Sequence, residues 1–250
     1  MLTSSTVPAI LVTSAAKRVG AAITRTLHAA GANLIIHCNR SRADADALAR
    51  ELNAVRAKSA SVVQGDLLAY NALKGLVVHA ASEFGRLDGL VNNASAFYPT
   101  PVGQIDEDNW TELIDSNLKA PLFLSQAAAP YLKKNGGNIV NIIDIHAERP
   151  LKDFVVYTIA KAGLAGLTRS LALELGPEIR VNGVSPGAIL WPDGGHDYPQ
   201  AERQRIVEQT PLQRVGSPAD IAGAVKYLML EAPYVSGQIL AVDGGRSVAL

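Results

Sequence analysis

P-A-I-L-V-T-S-A-A-K-R-V-G-A-A-I-T-R-T-L, residues 8–27, decides the fold. An apolar run ends at Thr13, a short polar turn follows, and an amphipathic stretch sets in around Gly20. A buried strand that passes through a tight turn into a helix is the opening half of a strand–helix–strand unit. The same alternation recurs downstream and predicts strands at 8–13, 33–38, 60–64, 88–92, 138–143, 179–184 and 237–242. Helices are expected between them at 18–30, 43–57, 69–84, 106–118, 119–134, 152–176 and 218–230. Strands and helices that alternate in this way specify an α/β fold, a doubly wound seven-stranded parallel sheet with helices on both faces. No linker, charge block, repeat or low-complexity tract interrupts residues 1–250, so the chain reads as a single domain.

Composition narrows the range of functions. Lys+Arg and Asp+Glu both number 23, which argues against a nucleic-acid partner or a polybasic membrane surface and leaves a small molecule as the expected partner. The one cysteine, Cys38, excludes an intrachain disulfide and fits a reducing compartment. The start M-L-T-S-S-T-V-P lacks a basic segment followed by an apolar one, and no apolar run is long enough to cross a bilayer. A cytoplasmic protein is therefore expected, with no metal site.

The turn from Thr13 to Gly20 brings backbone N–H groups to a helix N-terminus, with Lys17, Arg18 and Val19 beside them, an arrangement suited to a pyrophosphate. It lacks the full G-x-G-x-x-G pattern, so taken alone it is a weak signal. The second strand adds to it. It ends I-I-H-C-N-R-S, placing His37, Asn39, Arg40 and Ser41 where an NAD site carries an acidic residue for the ribose. A basic, hydroxyl-bearing pocket suits a 2'-phosphate, and the expected cofactor is NADPH. After the third strand, Asp66 in Q-G-D-L is placed either to accept from the adenine amino group or to cap a helix. Asn93, Ala94 and Ser95 follow the fourth strand.

Candidate chemistry lies further along. Tyr157 and Lys161 are four residues apart in a helical segment and so share a face, where an ammonium beside a phenol favours the phenolate. Asp144 closes N-I-V-N-I-I-D at the carboxyl edge of a strand. Two proton-handling groups at one mouth imply enzyme chemistry, with Asp144 as an orienting and water-activating group. The Gly- and Pro-rich stretch 187–200 follows the sixth strand, and a substrate lid is expected around 187–213. In helix 152–176, Leu164, Leu167, Leu171 and Leu175 form an apolar stripe, while Ala162, Gly166 and Ser170 are small enough for close approach to another helix.

With T-S-A-A-K-R-V-G, D-L, N-N-A-S, Asn117 in D-S-N-L-K-A-P, Y-T-I-A-K and R-V-N-G-V-S-P-G in order, the chain resembles the short-chain dehydrogenase/reductase family over essentially its whole length. Arg18 in place of a glycine, N-N-A-S-A-F-Y-P-T-P, and Asp144 in place of a serine resemble the pteridine reductase branch. The resemblance implies a Rossmann-type NADP domain in which Arg18 meets cofactor phosphate and substrate, Ser95 bonds a pterin and Phe97 stacks on its far face. It further implies that Lys161 bonds the nicotinamide ribose, that Asn117 holds a water in the proton path, and that Leu67, Pro186 and Gly187 join the cofactor contacts. The implied activity is reduction of a dihydropterin (dihydrobiopterin, dihydromonapterin or dihydrofolate) by a homotetramer. Alternatives are a carbonyl reductase acting on 3-oxoacyl thioesters and a non-catalytic NADP-binding regulatory protein. Two departures stand out: Ser14 where the family has glycine, which demands a left-handed backbone or crowds the phosphates, and Asn39 where a second histidine often lies.

Overall fold

Strand β1 (Ala9–Val12) has all four residues buried, the mark of a strand covered on both faces. Its side chains alternate between two cores. Ile10 and Val12 join a cluster on one face, Ala9 and Leu11 a cluster on the other. In this computed structural model, which describes residues 7–191 and 199–249, six more strands extend the sheet. They are β2 (Asn33–Cys38), β3 (Ala60–Gln64), β4 (Gly89–Asn92), β5 (Asn138–Ile142), β6 (Arg180–Pro186) and β7 (Ile239–Val242). All neighbours run parallel in the order β3-β2-β1-β4-β5-β6-β7.

The first core is closed by α1 (Arg18–Ala29), α2 (Arg42–Val55) and α8 (Pro218–Lys226), the second by α3 (Tyr70–Glu83), α5 (Ala120–Lys133) and the C-terminal half of α6 (Val155–Glu174). The strand order reverses between β1 and β4. There the loops leaving adjacent strands diverge to opposite faces and open a crevice at the carboxyl ends, where ligands bind in sheets of this kind.

The expected seven strands and their positions agree with this sheet to within a few residues. The helices differ in informative ways. The expected break between 118 and 119 is absent, because α4 (Glu107–Ile114) runs through a π-helical turn, Asp115–Lys119, straight into α5. The expected helix 218–230 likewise ends in a π-helical turn, Tyr227–Glu231. Helix α6 starts at Val155 rather than 152, since Asp153 has φ of 66° and its carbonyl accepts from the Thr100 N–H at 2.6 Å. A left-handed residue tied to another loop cannot continue a helix. Two helices were not expected, α7 (Gln200–Glu208) and the short α9 (Arg246–Ala249). In α7 only Ile206 is buried, so Q-A-E-R-Q-R-I-V-E shows no apolar period.

Buried amides tie the layers together. Asn92 Nδ2 donates to Asn141 Oδ1 at 2.8 Å, and Asn141 Nδ2 donates to Thr168 Oγ1 at 2.9 Å, linking β4, β5 and α6 through groups with no exposure at Asn141 and Thr168. Replacing Asn141 by Ala leaves a buried donor and a buried hydroxyl without these partners. The expected loss is roughly 2–3 kcal/mol, read as a lower urea midpoint at unchanged m-value.

Candidate active site

The carboxyl end of β5 delivers the central group. Asp144 lies two residues beyond Ile142, and its Oδ1 accepts from the His146 N–H at 2.8 Å, capping a single 3-10 turn, Ile145–Ala147. Its other oxygen faces α6, where the Tyr157 hydroxyl donates to Oδ2 at 2.8 Å. One helical turn on, Lys161 is wholly buried and its Nζ donates to the Ile142 carbonyl at 3.0 Å. The ammonium also lies 5.7 Å from the centroid of the Tyr157 ring. Burial pulls the Lys161 pKa down to about 8, and the Asp144 carboxylate opposes that fall. The three groups expected to carry the chemistry are thus brought together.

Two clefts meet over them. One, of about 330 Å³, is lined by Ser14, Lys17, Arg18, Val19, Gly20, Asn93, Lys161, Pro186 and Gly187, among others. The second, of about 480 Å³, runs past Phe97, Leu151, Trp191, Ile206 and Arg246. Arg18, Ser95, Asp144, Tyr157 and Gly187 line both. Phe97 stacks on Phe154 at 4.6 Å and meets Tyr157 edge-on at 4.8 Å, so one ring face is already covered. Arg18 spans the mouth, donating to the Trp191 carbonyl at 3.0 Å.

The first cleft fits a dinucleotide phosphate. Helix α1 has no side-chain N-cap bond and no acidic residue in its first turn, so its N-terminal dipole faces the cleft without a competing carboxylate. Gly20 permits the close approach, since a Cβ there would lie 2.3 Å from the Ser14 carbonyl oxygen and 2.8 Å from Asn93 Nδ2. Ser14 and Arg18 both have φ of 50°, so of the two alternatives for Ser14, crowding of the phosphates or a left-handed backbone, the loop shows the second. Lys17 reaches the cleft but pairs with Asp44 at 2.9 Å.

Several expected contacts prove to be supports behind the cleft wall. Thr13 is buried; its Oγ1 accepts from the Asn93 and Ala94 N–H groups at 2.8 and 3.0 Å, pinning the loop after β4 to the end of β1. Asn117, on the π-helical turn, gives its Nδ2 to the Ala96 and Leu113 carbonyls, while its Oδ1 accepts from Ser95 Oγ at 2.7 Å. Its side chain holds the Ser95 loop. Leu67 packs in the second core, and Asp66 is exposed, accepting from the Leu68 N–H at 3.0 Å in a local turn. Asn39 and Arg40 are exposed and Ser41 partly so, at the rim beyond β2.

His37 differs most from its expectation. It is buried under the loop instead of facing a phosphate, and burial lowers its pKa below the usual 6.5. Trp191 and Ile206, both within the expected lid, line the second cleft together with His146, Leu151 and Arg246, which were missed by sequence reading. Together these residues come from four separate segments, and Arg246 follows β7 with no pattern around it to flag it. Part of the expected lid, residues 192–198, lies outside the described residues.

A strand–helix turn at the topological switch point, a buried Tyr–Lys pair one turn apart and an acid just beyond β5 together define a nicotinamide-dependent oxidoreductase site. A family model described as enoyl-(acyl carrier protein) reductase matches residues 15–247. The chain belongs to the short-chain dehydrogenase/reductase family. It is 38% identical to pteridine reductase 1 of Leishmania tarentolae, over 99% of each protein. It is 33% identical to the granaticin polyketide synthase putative ketoacyl reductase 2 of Streptomyces violaceoruber, over 95% of each. It is also 32% identical to the 7alpha-hydroxysteroid dehydrogenase of Bacteroides fragilis, over 96% of this chain and 94% of that one.

The Lys161 shift carries a sign. The folded chain releases the proton near pH 8 and the unfolded chain near 10.5. The associated stability is therefore fully present above 10.5 and lost as pH falls through 8. Relative to Lys161→Met, the wild type should gain on the order of 3 kcal/mol between pH 8 and 10.5, measured by urea denaturation of both proteins at each pH.

Proposed function

We propose that this protein is an NADPH-dependent pteridine reductase, transferring hydride to a dihydropterin such as dihydrobiopterin or dihydromonapterin, or to dihydrofolate, to give the tetrahydro form. The observation that carries this reading is the 2.8 Å bond between Tyr157 and Asp144 at the junction of the two clefts. A carboxylate accepts well from the amino-bearing edge of a pterin, whereas polarising a ketone calls for a neutral hydroxyl donor at that position. This favours a pterin over the 3-oxoacyl thioester of a carbonyl reductase. The pteridine reductase relative supports the same choice.

NADPH, when bound, supplies the hydride. The α1 loop, Asn93, Lys161 and Gly187 would hold it along the first cleft. Arg40 and Ser41, with no acidic neighbour at the end of β2, support a preference for the 2'-phosphate. Ser95 Oγ, already donating to Asn117, presents its lone pairs to a substrate amino group. Phe97, on the lining of the second cleft, would stack on the flat heterocycle. Asp144 fixes the Tyr157 hydroxyl, and the pair hands a proton to the ring nitrogen beside the reduced carbon while Lys161 favours the phenolate left behind.

We further read the described parts of 187–213 as a substrate lid, since Ala188, Trp191 and Ile206 line the second cleft. A homotetramer is proposed from α6, whose Ile159 and Leu173 are exposed on the face carrying Ala162, Gly166 and Ser170. A cytoplasmic location is proposed from the single, buried thiol of Cys38.

Three measurements test these readings. NADPH oxidation should be fast with dihydrobiopterin and slow with acetoacetyl thioester, and faster than NADH oxidation under the same conditions; the reverse substrate order would make the protein a carbonyl reductase, and no turnover with either a regulatory one. Asp144→Asn should lower kcat by roughly 10²–10⁴-fold with NADP⁺ affinity retained. Gly166→Arg should convert the tetramer into smaller species on light scattering.

A further inference from the structure

The imidazole of His37 is tied on both sides. Its Nδ1 lies 3.1 Å from the Ser14 N–H and accepts from it, and its Nε2 lies 3.1 Å from the Gly65 carbonyl. With Nδ1 accepting, the ring is neutral and its hydrogen sits on Nε2, donating to Gly65. The same residue's carbonyl accepts from the Ala15 N–H at 2.9 Å. One buried residue thus holds two successive amides of the phosphate loop and joins them to the loop after β3.

The residue it grips is the strained one. Ser14 has φ of 50°. A side chain in that region is disfavoured relative to glycine, and Ser14 lines the first cleft. Its carbonyl is fixed as well, accepting from Asn93 Nδ2 at 3.2 Å. The loop geometry that a glycine would adopt without assistance is here held by bonds from both sides of the peptide.

We propose that His37 is a positioning residue for the cofactor: as a neutral imidazole it locks the left-handed Ser14 peptide and so presets the α1 loop for the dinucleotide phosphates, without touching the 2'-phosphate. This rests on the reading of that loop as the NADPH cradle. It makes His37 a determinant of cofactor affinity and leaves selectivity to the rim residues Arg40 and Ser41.

The test uses two substitutions that divide the ring's roles. His37→Asn keeps an acceptor near the Nδ1 position and loses the reach to Gly65. His37→Gln keeps a donor for Gly65 and loses the acceptor for Ser14. Titration calorimetry with NADP⁺ on the full-length proteins should give a dissociation constant within about threefold of wild type for Asn and about tenfold weaker for Gln. NADPH KM should follow the same order with kcat little changed. Adding Ser14→Gly to His37→Gln should recover the affinity, because glycine holds the turn unaided. Equal losses in the two single variants, no loss in either, or no recovery in the double variant would overturn the proposal. A wild-type protein that fails to bind NADP⁺ would overturn the cofactor reading and this one with it, whereas turnover of another substrate with NADPH would leave it standing.

Discussion

A buried cation at the wall of a cleft is the constraint around which the site is built. Lys161 is 2% exposed, and an ammonium there must recover the hydration it has lost. The Ile142 carbonyl supplies one partner, and Asp144, two residues further along the same strand end, favours the charged form. Both demands bring α6 against the carboxyl end of β5. Once that docking is made, helical geometry leaves little freedom: Tyr157, one turn earlier, falls beside Asp144 and against Phe97. The charge that costs stability therefore also aligns the proton-handling pair.

The second constraint is the shape of the turn after β1. Two non-glycine residues, Ser14 and Arg18, sit at positive φ within five positions. Each earns its conformation differently. Ser14 is held from below by His37 and from the side by Asn93, whereas Arg18 uses its long side chain to reach Trp191 across the mouth. Because Arg18, Ser95, Asp144 and Tyr157 line both clefts, a molecule in one forms part of the wall of the other.

The sheet was legible from sequence because parallel strands buried on both faces are short, largely apolar runs, as in A-I-L-V. The Asp144, Tyr157 and Lys161 set was legible too, since helical spacing and a strand end fix it locally. What sequence could not show was direction. His37 and Arg40 stand three residues apart, yet one turns beneath the loop and the other outward, because β2 ends at Cys38 and Arg40 already lies on the exposed bend beyond it. Thr13 and Asn117 were placed in the right neighbourhood, and their side chains bond the loop after β4. The far end of the second cleft stayed hidden because His146, Leu151 and Arg246 converge only in three dimensions.

Cys38 closes β2 at 2% exposure, and burial raises its pKa, so the thiolate is scarce and shielded. The native protein thus offers almost no background to alkylating reagents. New cysteines placed on the rim of the clefts could carry spectroscopic labels one at a time, leaving the natural thiol in place.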